Sequence, residues 1–232
     1  MFKRFLEMLR SERLMSAEVR AQLIDGLFHP FASLIAGALA GVWIAATVTL
    51  VEDDIVVTTL ADGIVIIALA RIFIGFKYVS AGAPALNGHA IAWERTYAIG
   101  AGMFAASLGL VCLAALIRLD NPTLHLMLTT TTAGYAASIT GRNAGRPWVA
   151  LSQLYLAAGP MCLGLMLHET TFYQVMGACL FIFMFGMTDI TVSVRRTLVN
   201  ALEMKREHAA LARNFEGQAL LFDAALNNMS HG

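Results

Sequence analysis

Charge is scarce in this chain, and what there is of it is confined. Asp, Glu, Lys and Arg make up 14% of the residues, against roughly 25% in an average soluble domain. Hydrophobic residues reach 58%. Such a balance cannot clothe a water-facing surface and excludes an ordinary soluble domain. The net charge is zero, and no basic excess marks a nucleic-acid partner. Cysteine is also rare. The three present, Cys112, Cys162 and Cys179, fall inside apolar runs without a C-x-x-C pair, so they are expected to be small buried hydrophobes and not a redox or zinc motif. No Gly-rich phosphate loop, H-E-x-x-H, G-x-S-x-G or kinase signature occurs. No catalytic residue, cofactor site or metal site is therefore expected within the 232 residues. The opening MFKRFLEMLRSER breaks its apolar residues with charge and so lacks the h-region of a secretory signal.

Six apolar runs are what the chain has in abundance, over 31–51, 55–74, 98–117, 122–140, 147–167 and 172–192. Each holds roughly 20 residues, and at ~1.5 Å per residue a helix of that length crosses the hydrocarbon of a bilayer. The basic residues alternate with the crossings. Lys3, Arg4, Arg10, Arg13 and Arg20 precede the first run. Arg71, Lys77 and Arg95 belong to the second connection, Arg142 and Arg146 to the fourth, and Arg195, Arg196, Lys205, Arg206 and Arg213 follow the sixth. The remaining connections hold Glu52, Asp53 and Asp54, then Asp120, then His168 and Glu169, and Arg118 alone breaks the rule. The positive-inside bias places both termini in the cytoplasm. The expected fold is all-α: a polytopic membrane protein with six transmembrane helices and a cytoplasmic C-terminal linker helix.

Four regions follow. Residues 1–30 form a basic amphipathic segment, in which Phe2, Phe5, Leu6 and Leu9 share one helical face, suited to the lipid interface or to a solvated linker. Residues 31–192 are the membrane domain, and its longest connection, 75–97, is cytoplasmic and carries the turn-rich SAGAPALNGHA. Trp93, Tyr97 and Trp148 at run edges suit an interfacial aromatic belt. Residues 193–221 form a signalling helix. Val194, Thr197, Ala201, Met204, His208, Leu211, Phe215, Gln218 and, just beyond it, Phe222 step by three and four, the seam of a short parallel homodimer or, alternatively, of a solitary amphipathic helix.

Residues 222–232 end the chain in FDAALNNMSHG. This phrase resembles the segment that opens a PAS domain in bacterial cyclic-di-GMP signalling proteins. The matching positions are Phe222, Ala225, Leu226, Asn227, Asn228, Met229, Ser230 and Gly232. The resemblance covers about a dozen residues and implies a truncated PAS entry, with covalently linked diguanylate cyclase or phosphodiesterase domains beyond it. The Gly-Gly-Asp-Glu-Phe and Glu-Ala-Leu signatures of those enzymes are absent here. On this reading the chain is not itself an enzyme. It is a sensory and anchoring module in a bacterial inner membrane, with the lipid bilayer as a partner. A small transporter or channel subunit, or the membrane part of a sensor histidine kinase, are the alternatives.

Ionisable and small residues within the runs supply the candidate sites, because charge at bilayer depth is costly without a partner. Asp62, with Ser107, Thr129, Thr132 and Tyr155, is a candidate polar cluster for a small ligand, ion or proton, or else helix-packing glue. Arg71 either snorkels to the headgroups or pairs with Asp189 at matching depth. Asp62 and Arg71, nine positions apart, fall on opposite helix faces and cannot pair. Gly37 and Gly41 form a G-x-x-x-G packing face, within the bundle or between protomers. His125 and His168 offer imidazole at the outer rim, though no spacing builds a metal site from them.

Overall fold

The computed structural model describes residues 17–29, 31–83 and 85–230. It is all-α, 91% helical and without strands among the described residues. In chain order the helices are α1 (Ala17–Phe28), α2 (Phe31–Val51), α3 (Ile55–Ser80), α4 (Ala90–Arg118), α5 (Pro122–Arg142), α6 (Pro147–Leu167) and α7 (Thr171–Ser230), with one π-helical turn, Ala85–His89, before α4. By contacts the chain divides into two units, Met1–Arg195 and Arg196–Gly232.

Five helices are long and apolar enough to cross a membrane: α2, α3, α4, α6 and the Thr171–Phe215 part of α7. The remaining long helix, α5, spans 21 residues. It has the length, but His125 and four consecutive threonines, Thr129 among them, dilute its apolar character.

Local chemistry starts and stops these helices. Asp54 caps α3, its carboxylate accepting hydrogen bonds from the Val56 and Val57 amides at 3.0 Å. Asn121 caps α5 through the Leu124 amide at 3.1 Å. Pro122 and Pro147 open α5 and α6, where a missing N–H costs nothing. The 75–97 connection is shorter than its turn residues suggest. Helix α3 runs on to Ser80 and α4 resumes at Ala90. The reversal is concentrated at Gly82 and Ala83, with φ of 68° and 54°, and at Gly88, with φ of 91°. Glycine reaches such angles without steric cost, whereas Ala83 does not.

Packing follows stripes at alternating steps of three and four. On α3 the buried positions are Val57, Ala61, Ile64, Ala68, Arg71, Gly75 and Tyr78. On α4 they include Glu94, Tyr97, Ala101, Phe104, Leu108 and Val111. The main core joins these stripes to α2, α5, α6 and the start of α7. Small residues allow close approach. A Cβ on Gly109 would lie 2.5 Å and 2.7 Å from the carbonyl oxygens of Leu156 and Ala157, so α4 and α6 meet backbone to backbone there.

A second core differs from the sequence expectation. Helix α1 docks against the bundle, burying Val19, Leu23, Ile24, Leu27 and Phe28. Phe28 stacks on Tyr78 at 3.8 Å between ring centroids, and the Tyr78 hydroxyl donates to Asp25 at 2.7 Å. This stretch of the N-terminal segment is part of the fold, held by aromatic burial, and not a solvated linker. The Phe2, Phe5, Leu6 and Leu9 face lies outside the described residues.

Candidate functional site

The end of the bundle that carries α1 concentrates the buried polar groups. Their placement follows from the stripes above, because Arg71 on α3 and Glu94 and Tyr97 on α4 occupy positions that face inward. Glu94 is 3% exposed and Arg146 is 2% exposed, and they form an ion pair through Oε1. The Trp148 indole donates to the same carboxylate oxygen at 2.8 Å, and Arg20 of α1 approaches Oε2 at 4.0 Å. One carboxylate thus ties the first turns of α6 to α4 and receives α1. Nearby, the Tyr97 hydroxyl donates to Asn143 Oδ1 at 3.1 Å, and Arg142 donates to the Leu27 carbonyl at 3.2 Å. Tyr97 and Trp148 are therefore hydrogen-bonded within the fold, in addition to any interfacial role.

Between α2 and these helices lies a cavity of about 200 Å³. Arg71, Tyr97, Tyr135, Arg142 and Gln153 line its polar side, and Ser33 and Gly37 of α2 close the other. Arg71 is 7% exposed. Its guanidinium lies over the Phe104 ring, 4.7 Å from the centroid, a cation–π contact, and Gly100 leaves room for its stem. Tyr135 spends its proton on Gln153 Oε1 at 3.1 Å. Among the described residues no carboxylate lines the cavity.

The sequence-derived candidates are distributed differently. Arg71 lines the cavity, while Asp189 lies on an exposed face of α7, so the two are not brought together there. Asp62 is exposed and meets Thr49 of α2 at 3.4 Å. Its expected neighbours lie elsewhere. Ser107 donates to the Phe104 carbonyl at 2.9 Å. Thr129 donates to the His125 carbonyl at 2.7 Å, and Thr132 is wholly buried. Tyr155 shares a 2.9 Å hydrogen bond with Thr188 of α7. The five are not brought together into one pocket. The reason is angular: Asp62 sits one position off the buried stripe at Ala61, and that rotation turns it away from α5.

The glycine pair splits. A Cβ on Gly41 would stand 2.7 Å from Phe104 and 2.9 Å from Ile64, so Gly41 serves packing within the bundle. A Cβ on Gly37 would meet nothing within 4 Å, and Gly37 borders the cavity.

The opposite end combines an exposed ion pair with contacts of the buried His125. Arg118 forms a bidentate pair with Asp54, at 3.0 Å and 2.8 Å to Oδ2. Arg118 holds the Asp54 carboxyl down to a pKa of about 2, aided by the Val57 and Val56 amides. Asn121 donates to Glu52 at 2.7 Å. His125 contacts Tyr173 at 3.1 Å and the Ala115 carbonyl at 3.0 Å, and His168 stacks on Tyr173. Both His125 ring nitrogens are so engaged, and among the described residues no three His, Cys, Asp or Glu side chains group to hold a metal ion.

The sequence reading identified Arg71 as a charge out of place but missed Glu94 and Arg146, whose signal was the regular stripe on α4 and the Arg-Pro-Trp opening of α6. The chain has no match among models of known protein families, curated proteins or solved structures.

Proposed function

We propose that the chain is a multi-pass sensory and anchoring module of a bacterial inner membrane, with six transmembrane helices and both termini cytoplasmic. In this reading α5 is the sixth span: it has 21 residues and so ~31 Å of length, and it stands between spans on either side. The basic residues give the orientation. The one exception, Arg118, is neutralised by Asp54. The end bearing α1 and the cavity then faces the cytoplasm.

The observation that carries the signalling role is that α7 belongs to both units. Its first part joins the bundle core through Leu180 and Met184. Its later part presents Met204, Leu211 and Phe215 to solvent, at the spacing of a dimer seam. A change of packing in the bundle would move or rotate α7, and a parallel dimer would pass this to PAS-linked cyclic-di-GMP domains. Such a switch requires a ligand that binds the two packings unequally.

Two experiments test this. The first reads the open frame beyond codon 232 and measures cellular cyclic-di-GMP on expressing the whole product; a PAS fold and a changed nucleotide level are expected. A stop codon there, with solute uptake by reconstituted protein, would replace the sensor with a transporter. The second places cysteine at Leu211 in a chain whose three native cysteines are replaced. Cross-linked dimer in native membranes is expected, and an uncross-linked chain would remove the paired-helix step.

A further inference from the structure

The cavity beside Arg71 has a chemistry that selects its occupant. We propose that it is a binding site for an anionic headgroup, a phosphate or carboxylate whose apolar tail lies along α2 and α5. The route of entry rests on the membrane reading above; the anion chemistry does not.

Four observations converge. Arg71 is more than nine-tenths buried yet forms no ion pair among the described residues, and Phe104 covers one face of its guanidinium. A buried guanidinium without a counter-charge is costly, and a cation–π contact offsets only part of that cost. Second, Arg142 shares the cavity, and its Nε is buried with no hydrogen-bond partner among the described residues. Third, two carboxylates near the cavity already have partners, Glu94 in Arg146 and Trp148 and Asp25 in Tyr78, and neither lines it. The cavity therefore holds an excess of positive charge with donors beside it. Fourth, the volume of about 200 Å³ exceeds the ~150 Å³ that accommodates benzene in an engineered core, and its rim is open. Ala36 of α2 and Ser138 of α5 line it and are exposed.

Arg71 sits nine residues before Ser80 at the end of α3, ~14 Å along the helix axis. In the proposed orientation the opening between Ala36 and Ser138 looks sideways, near the inner leaflet. An amphipathic anion can enter there, its head drawn inward to the two guanidiniums and its tail left against the apolar outer faces. Planar guanidinium forks favour bidentate contact with phosphate or carboxylate.

The test uses the whole chain in phosphatidylcholine nanodiscs. Dioctanoyl phosphatidic acid, decanoate and inorganic phosphate are titrated separately, and bound ligand is counted by native mass spectrometry. Saturable binding of one dioctanoyl phosphatidic acid or decanoate per chain is expected, weakened about tenfold or more by Arg71→Gln. The exposed-face control Lys205→Gln should leave it unchanged. Gly37→Leu should also weaken binding. The first atom of its side chain meets no neighbour, so this variant is expected to fold even if Arg71→Gln does not. Binding of inorganic phosphate as well would identify a free anion as a sufficient ligand; binding of the tailed probes alone would identify a lipid headgroup or fatty acid. The proposal is overturned if no probe saturates, or if Arg71→Gln and Gly37→Leu bind like the parent chain.

Discussion

The two ends of the bundle use the same pair of groups, an arginine and a carboxylate, in opposite surroundings. At the α1 end Glu94 and Arg146 are almost fully buried. At the other end Arg118 and Asp54 are partly exposed, with side-chain exposures of 45% and 20%. An exposed pair is screened by water and has little to lose. A buried pair has already lost its hydration, so removal of one member strands the other in a medium that cannot solvate it. Similar geometry therefore carries different consequences. The α1 end is where charge decides whether the helices assemble, and the other end is where it only trims them.

The largest expected effect breaks this asymmetry at its strong side. Glu94→Ala takes this carboxylate away from the buried Arg146 guanidinium and also releases the Trp148 indole. A loss of about 3–5 kcal/mol is expected, measured by equilibrium unfolding in mixed micelles. If Glu94→Ala proved no worse than Asp54→Asn, burial would not be the deciding variable. A packing variant sharpens the comparison because it alters no charge. Gly109→Ala pushes a methyl group into two backbone carbonyls of α6, which cannot swing aside as a side chain would. A loss of about 1–3 kcal/mol is expected, whereas Gly37→Ala, with open space around it, should stay near neutral.

These residues also show what the sequence disclosed and what it withheld. Helix positions were legible because apolar runs of bilayer length are long, local signals. Arg71 was legible as an anomaly, since a lone charge inside such a run is conspicuous. Its neighbours were not. Asp189 was paired with it by depth, but depth fixes only one of three coordinates. The angle about the helix axis depends on which stripe packs, and that stripe was readable on α3: Val57, Ala61, Ile64, Ala68 and Arg71. Applied to Asp62, the same stripe would have turned it outward. The cavity itself lay beyond sequence reasoning. Tyr97, Arg142 and Gln153 come from three helices, and their meeting depends on how those helices cross. The docking of helix α1 was not legible for a related reason: the pocket of Tyr78, Trp93 and Tyr97 that receives its Phe28 comes from two other helices.

A neutral buried contact at the α1 end should fall between the two charged pairs. Tyr97→Phe removes the donor to Asn143 Oδ1, leaving a buried amide oxygen without that partner. About 1–2 kcal/mol is expected. Because Tyr97 also lines the cavity, the variant reports whether this end is held by charge alone. A cost equal to that of Glu94→Ala would mean that any polar defect there unzips the end, and the contrast would then concern polar burial in general and not charge.

The smallest effect belongs to Asp54, and its pH dependence gives it a distinctive signature. Arg118 and the amides of α3 hold its pKa at about 2, below the ordinary value of 3.8. A carboxylate whose pKa is lowered on folding stabilises the fold fully above its unfolded value, and that stabilisation is lost as the pH falls through the folded value. The Asp54 contribution should therefore be constant at neutral pH and fade between pH 3.8 and about 2. Asp54→Asn keeps an α3 cap, since asparagine caps as well as aspartate, but loses the ion pair. It should be slightly destabilised at pH 7, and the difference from the parent chain should shrink from pH 3.8 downward and vanish only below about pH 2. Salt should narrow the same gap, because this pair is open to solvent. An Asp54→Asn deficit that persisted unchanged at pH 2 or in high salt would show that the carboxylate acts through its shape as a cap and not through its charge, and the electrostatic contrast between the two ends would lose its weaker member.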